Sequence, residues 1–148
     1  MREVFRSFRG LPHRTEFVRV AGGVRWYDDS KGTNVGATAR TLAGLPGPVV
    51  LILGGKDKGG SYAPLVPLVG GRVRALVLFG EARAKIAAAL AGAAPIVEVA
   101  EMGEAVRRAA ELAQPGDAVL LSPACASFDQ YTSYAERGKH FQQEVNAL

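Results

Sequence analysis

The sequence predicts a three-layer, Rossmann-like α/β domain, with a mostly parallel sheet of about six strands that opens on an antiparallel hairpin. Three observations carry this reading. Near-continuous apolar runs at residues 49–53, 73–79 and 118–121 have the length and composition of strands covered on both faces. Helix-periodic segments at 62–69, 81–90 and 103–113 alternate with them, as in a parallel sheet with crossover helices. Gly22-Gly23 lies between two strand-like segments and suits a two-residue hairpin turn.

In chain order, residues 16–21 and 24–28 form the hairpin. A helix begins near Asn34, with Ser30 or Thr33 as its candidate cap and the neighbouring acids favoured by the helix dipole. The strand 49–53, the helical segment 62–69, the strand 73–79 and the alanine-rich helix 81–90 follow. A strand at 96–99, the helix 103–113, the turn Gln114-Pro115-Gly116-Asp117, the strand 118–121 and a last helix near 131–145 complete the series.

Composition bounds the function. A chain of 148 residues, 48% hydrophobic and 22% charged, matches one globular domain able to bury a core without disulfides or metal. Cys125 is the single cysteine, which excludes a disulfide framework and a multi-cysteine zinc site. No apolar run reaches bilayer-spanning length and the first residues do not resemble a signal peptide, so a cytoplasmic setting without a membrane partner is expected. The net charge of +4 is spread over scattered arginines, with no basic tract and no aromatic residues interleaved with basic ones. A nucleic-acid partner is therefore not expected, and the charge favours anionic small substrates and nucleotides.

Polar side chains cluster where strands end. Asp28-Asp29-Ser30-Lys31-Gly32-Thr33-Asn34 follows the second hairpin strand, Gly54-Gly55-Lys56-Asp57-Lys58-Gly59-Gly60 follows 49–53, and Ser122-Pro123-Ala124-Cys125-Ala126-Ser127-Phe128-Asp129 follows 118–121. An open parallel sheet binds ligands beyond the carboxyl ends of its strands, so the three motifs are expected to share one edge. The glycine-rich segment has the ingredients of an anion site, although the spacings of a phosphate loop and of Gly-x-Gly-x-x-Gly are both missing. It either binds an anion or only turns the chain. Cys125 between alanines reads as a packing residue, with a nucleophile as the alternative. Ser127, before the last helix, suits a carboxylate-binding hydroxyl. His13-Arg14 is either a solvated linker or part of the site, and His140 is a surface or core histidine, not a metal ligand.

Taken with Gly10-Leu11-Pro12-His13-Arg14, these motifs resemble the C-terminal domain of Mur ligases, in the same order and over nearly the whole chain. Within that family the pairing of Ser-Pro-Ala-Cys-Ala-Ser with Asp-Ser-Lys-x-Thr-Asn resembles the D-glutamate-adding branch. The resemblance implies an ATP- and Mg2+-dependent ligase of peptidoglycan precursor synthesis, which joins D-glutamate to the L-alanyl end of a UDP-linked muramoyl precursor. In that family ATP phosphorylates the precursor carboxylate, the incoming amine attacks the acyl phosphate, and amide, ADP and phosphate result. The C-terminal domain supplies the incoming amino acid's site and closes over a nucleotide held by a central domain.

By the same resemblance Thr33, Lys58, Ser127, Phe128 and Tyr134 hold D-glutamate, with Lys58 and Thr33 toward one carboxylate and Ser127 toward the other. Arg14 reaches the terminal phosphate and stabilises charge during transfer, Lys31 helps on the anionic side, and Asp29 binds the nucleotide ribose. The family's phosphate loop, magnesium ligands, modified catalytic lysine and uridine-nucleotide domain have no counterpart in the sequence. Residues 1–12 are accordingly expected to be a linker from a preceding domain and 13–148 the Mur ligase C-terminal domain, inactive alone. Two rival readings are a ligase adding another amino acid, or glutamates to folate, and a free-standing, non-catalytic module for anionic metabolites.

Overall fold

The computed structural model describes residues 13–148, so the expected linker 1–12, including Gly10, Leu11 and Pro12, lies outside the described residues. The chain folds as β1 (Glu16–Ala21), β2 (Val24–Asp28), α1 (Val35–Gly44), β3 (Val49–Gly54), a 3-10 turn (Ala63–Leu65) running into α2 (Val66–Arg72), β4 (Val73–Phe79), α3 (Arg83–Ala89), β5 (Ile96–Glu98), α4 (Met102–Leu112), β6 (Ala118–Leu121) and α5 (Tyr134–Asn146). The strands form one six-stranded sheet in the order β1-β2-β6-β3-β4-β5. Only β1 and β2 pair antiparallel, through Gly22 and Gly23 at φ 61° and 78°, the left-handed conformation that a tight hairpin turn demands. The expected fold class is what the structure contains.

The sheet separates two cores. Alternate residues Leu51, Leu53, Leu76, Leu78 and Leu120 pack against Leu42 of α1, Leu65, Val69 of α2 and Ile86 of α3. Their neighbours Val50, Ile52, Val77, Val119 and Leu121 face Met102, Ala105 and Val106 of α4 and Phe141 and Val145 of α5. β3 and β6 are buried along their whole length, which explains why their sequences are apolar without alternation.

Several boundaries differ from expectation: the helical segment expected at 62–69 is a 3-10 turn at 63–65 followed by a helix at 66–72, most others move by one or two residues, and three differences have a clear local reason. The Asn34 side chain accepts the Ala37 N–H at 2.8 Å and caps α1, so neither Ser30 nor Thr33 is the cap. The last helix starts at Tyr134 instead of near 131, because Ser133 takes the extended cap conformation and accepts the Glu136 N–H. α3 begins at Arg83 instead of 81, after a turn in which Gly80 O accepts the Arg83 N–H.

The topology also fixes where a site can lie. The chain runs outward through β3, β4 and β5, then returns across α4 to insert β6 between β2 and β3. Helices after β2 and β3 cover one face and the helix after β6 covers the other. The carboxyl ends of β2, β6 and β3 therefore flank a topological switch point, the place where α/β sheets open a crevice.

Candidate functional site

The three polar motifs meet at that edge. Ala124 N–H donates to Gly32 O at 2.9 Å, which joins the loop after β6 to the loop after β2. Gly54 N–H donates to Pro123 O at 3.1 Å and Lys56 N–H to Ala126 O at 2.8 Å, which joins the loop after β3 to the same central segment. The close passage depends on Gly55: it sits at φ 137°, and a Cβ there would run into Ala126 O. Only glycine accepts both conditions.

Arg137 of α5 underlies the junction, fully buried and without a carboxylate partner. Its Nε donates to Ser30 Oγ at 2.9 Å, Nη2 to Ser30 O at 2.7 Å and Nη1 to Cys125 O at 3.0 Å. Burial pulls its pKa down to about 10, which still leaves it charged at neutral pH. Sequence reasoning did not single out Arg137, because an arginine among Glu136, Lys139 and Gln142 looks like part of a solvated helix face.

Asp29 is the second hub. Its Oδ1 accepts from Thr15 N–H at 2.9 Å, and its Oδ2 accepts from the hydroxyls of Thr41 and Ser122, each at 2.8 Å. Burial pushes its pKa up, opposed by those donors. These three donors make the Asp29 carboxylate a joint between the segment just before β1, α1 and the loop after β6.

His13 is buried, which corrects the solvated-linker alternative. Its Nδ1 lies 2.6 Å from Asp28 Oδ2, while Asp28 Oδ1 accepts the Ser30 N–H at 2.9 Å. His13, Glu16 and Asp28 bring one ligand atom each within 4.8 Å of one another. A cation does not fit there, since the Gln142 amide donates to Glu16 Oε1 at 3.1 Å and to Asp28 Oδ2 at 2.8 Å. The cluster is a hydrogen-bonded clasp that fixes the backbone next to Arg14.

This clasp makes stability depend on pH with a definite sign. The Asp28 hydrogen bond holds the His13 pKa above its ordinary value of 6.5. Its contribution is complete below the unfolded pKa and is lost as pH rises through the folded one. The thermal midpoint should therefore decline as pH climbs from about 6 toward 9, and His13→Gln should flatten that slope relative to wild type. Equal slopes in scanning calorimetry of both proteins would refute the clasp.

The exposed cations have a different character. Arg14, Lys31, Lys56 and Lys58 are exposed, and none forms an ion pair with a carboxylate among the described residues. Lys31 Nζ stands 5.6 Å from the Tyr134 ring centroid, and the His13 ring meets Tyr134 edge-on at 6.3 Å. Thr33 is half-buried beside them. Ser127 is 2% exposed, yet its hydroxyl makes no hydrogen bond among the described residues. Phe128, directly after it, is 67% exposed, the largest exposure of any big apolar side chain among the described residues. The edge thus combines unneutralised positive charge, an unused hydroxyl and an uncovered ring.

Cys125 is 1% exposed, with Sγ 3.3 Å from the Tyr62 hydroxyl. Burial pushes its thiol pKa up, the opposite of what a nucleophile needs, and the packing reading is the one the geometry supports. His140 binds Tyr131 Oη at 2.7 Å and Glu144 Oε2 at 3.2 Å and is not part of the edge. Among the described residues no helix is long and apolar enough to cross a membrane.

The chain is 52% identical to UDP-N-acetylmuramoylalanine-D-glutamate ligase of Syntrophotalea carbinolica over 142 residues, 96% of this chain and 32% of that enzyme. It spans about a third of the length of the curated relatives it matches. Its fold is similar to UDP-N-acetylmuramate-alanine ligase of Thermotoga maritima, with a TM-score of 0.65 at 14% identity over 95% of this chain and 31% of that one. A domain crystallised from a Haemophilus ducreyi protein superposes with a TM-score of 0.54 at 16% identity, over 89% of this chain and 99% of its own. The family model described as Mur ligase, glutamate ligase domain, matches residues 13–125, the span that holds His13, Glu16, Asp28, the glycine-rich loop and Cys125, and the chain belongs to that family.

Proposed function

We propose that the chain is the C-terminal, amino-acid-binding domain of an ATP-dependent ligase that joins D-glutamate to UDP-N-acetylmuramoyl-L-alanine in cytoplasmic peptidoglycan precursor synthesis. The observation that carries this is an edge whose exposed lysines have no carboxylate of their own among the described residues, beside a Ser127 hydroxyl that makes no hydrogen bond among them. A ligand bearing carboxylates can engage both the hydroxyl and the ammonium groups. A dicarboxylic amino acid would do so at two points. The relatives named as D-glutamate ligases supply the choice among dicarboxylates.

In this reading Lys58 and Thr33 take one carboxylate and Ser127 with adjacent backbone N–H groups takes the other. Phe128 and the Tyr134 ring flank the aliphatic part. Arg14 and Lys31, both exposed cations, suit the phosphates of ATP, and Arg14 would stabilise charge developing on the terminal phosphate. Asp29 orders the loop beneath Lys31 on the nucleotide side. Mg2+ would be held outside this chain, because the cluster His13, Glu16 and Asp28 is closed by Gln142 and its residues do not fit the ion.

D-Glutamate titrated into the 15N-labelled chain should shift the amides of Lys58, Ser127 and Tyr134. A free amino acid at part of its site should bind with a dissociation constant on the order of millimolar, about 4 kcal/mol. L-Glutamate and D-alanine should give smaller shifts at equal concentration, and phosphate release from ATP should stay at background. Larger shifts with another amino acid would favour a different ligase of the family. Robust turnover by the chain alone would overturn the domain reading.

A further inference from the structure

The glycine-rich loop poses a problem of order. Residues 54–60 include Gly54, Gly55, Gly59 and Gly60, and such a segment loses much backbone freedom when fixed. Lys58 is exposed, with no side-chain partner among the described residues. Something else must hold the loop if its ammonium is to meet a ligand in one geometry.

Asp57 gathers what holds it. Its Oδ1 accepts the Gly59 N–H at 3.1 Å and the Tyr62 hydroxyl at 3.2 Å. Lys85 Nζ, reaching from α3, approaches both oxygens, Oδ1 at 3.3 Å and Oδ2 at 3.2 Å. The same ammonium stands 5.7 Å from the Tyr62 ring centroid, which keeps ring and carboxylate on one cation. Tyr62 has one hydroxyl proton. Donating it to Asp57 leaves the oxygen to accept from the Cys125 thiol, 3.3 Å away. A directional chain thus runs from Cys125, two residues before Ser127, through Tyr62 to Asp57 and the loop that carries Lys58.

We propose that Lys85 is a positioning residue for Lys58: with the Tyr62 hydroxyl it holds the Asp57 carboxylate, and so fixes the loop that presents Lys58 to the amino-acid carboxylate. The proposal rests on the D-glutamate reading of Lys58. Lys85 and Asp57 are side chains 45% and 28% exposed, and exposed pairs add little to global stability. Their effect is local to the loop, which separates positioning from folding in a test. Asp57 also needs its charge: the Gly59 N–H and the Lys85 ammonium hold its carboxyl below the usual range, so the clamp is intact at neutral pH.

The test compares the chain with Lys85→Met, Lys85→Arg and Tyr62→Phe by 15N relaxation and D-glutamate titration. Lys85→Met should keep the wild-type thermal midpoint, lower the heteronuclear NOE at Lys58 and Gly59, and weaken D-glutamate binding roughly five- to tenfold through the extra ordering cost. Lys85→Arg should restore both within about twofold, since its fork still reaches the carboxylate. Tyr62→Phe should loosen the same amides, and added salt should mimic Lys85→Met. Unchanged loop relaxation in Lys85→Met, or weaker D-glutamate binding without any loosening, overturns the proposal. If wild type binds no D-glutamate, the ligand reading of the site fails, while relaxation at Lys58 and Gly59 still decides whether Lys85 orders the loop.

Discussion

Arg137→Met should destabilise the domain more than any other substitution of a polar side chain at this edge. The methionine keeps most of the buried volume but leaves Ser30 Oγ, Ser30 O and Cys125 O without their donor. Each buried acceptor left unpaired costs about 1–3 kcal/mol. The variant no longer has to desolvate a guanidinium, which offsets part of that loss. A net cost of about 3 kcal/mol follows, or a fall in thermal midpoint of roughly 6–12 °C for a domain of this size. Arg137→Lys should recover little, because one ammonium cannot reach three acceptors from the fixed positions of a planar fork. Calorimetry of the three proteins checks this. A midpoint within about 2 °C of wild type for Arg137→Met would mean that water or a shifted side chain satisfies the loops and that Arg137 is dispensable.

Arg137 also shows where sequence reasoning ends. The strands were legible because burial on both faces leaves no alternative to apolar runs: residues 16–21, 24–28, 73–79 and 118–121 were placed as they are found. The meeting of the three polar motifs at one edge followed from topology, since Asp28, Gly54 and Leu121 end strands that lie side by side. What stayed hidden were polar groups whose partners are remote in sequence. Ser30 and Arg137 are 107 residues apart, and Ser122 and Asp29 are 93 apart. No local pattern distinguishes a buried arginine that holds carbonyls from one on a wet helix face. For the same reason His13 looked like linker, and Tyr62 and Lys85 carried no signal beyond a helical period.

Lys58→Ala should produce the largest functional change at the site while leaving the fold intact. Lys58 is exposed and has no internal partner among the described residues, so its removal orphans nothing and stability should shift by no more than about 0.5 kcal/mol. In the proposed reading its contribution falls on the ligand instead. A charge-assisted hydrogen bond to a carboxylate is worth about 1.5–3 kcal/mol, which corresponds to roughly ten- to a hundredfold in affinity. In a full-length ligase that carries this domain, the Michaelis constant for D-glutamate should rise by about that factor, with the constant for the uridine-nucleotide precursor nearly unchanged. In the isolated chain, binding should drop below what titration can detect. Lys56→Ala serves as the control, because Lys56 adds a nearby positive charge while its own backbone N–H is tied to Ala126. If both variants weaken D-glutamate equally, a diffuse positive field attracts the substrate and Lys58 has no directed contact. If Lys58→Ala leaves D-glutamate kinetics unchanged, or affects only the precursor, the loop after β3 is not the amino-acid site. The clamp built from Asp57, Tyr62 and Lys85 would then be ordering a lysine for some other anion.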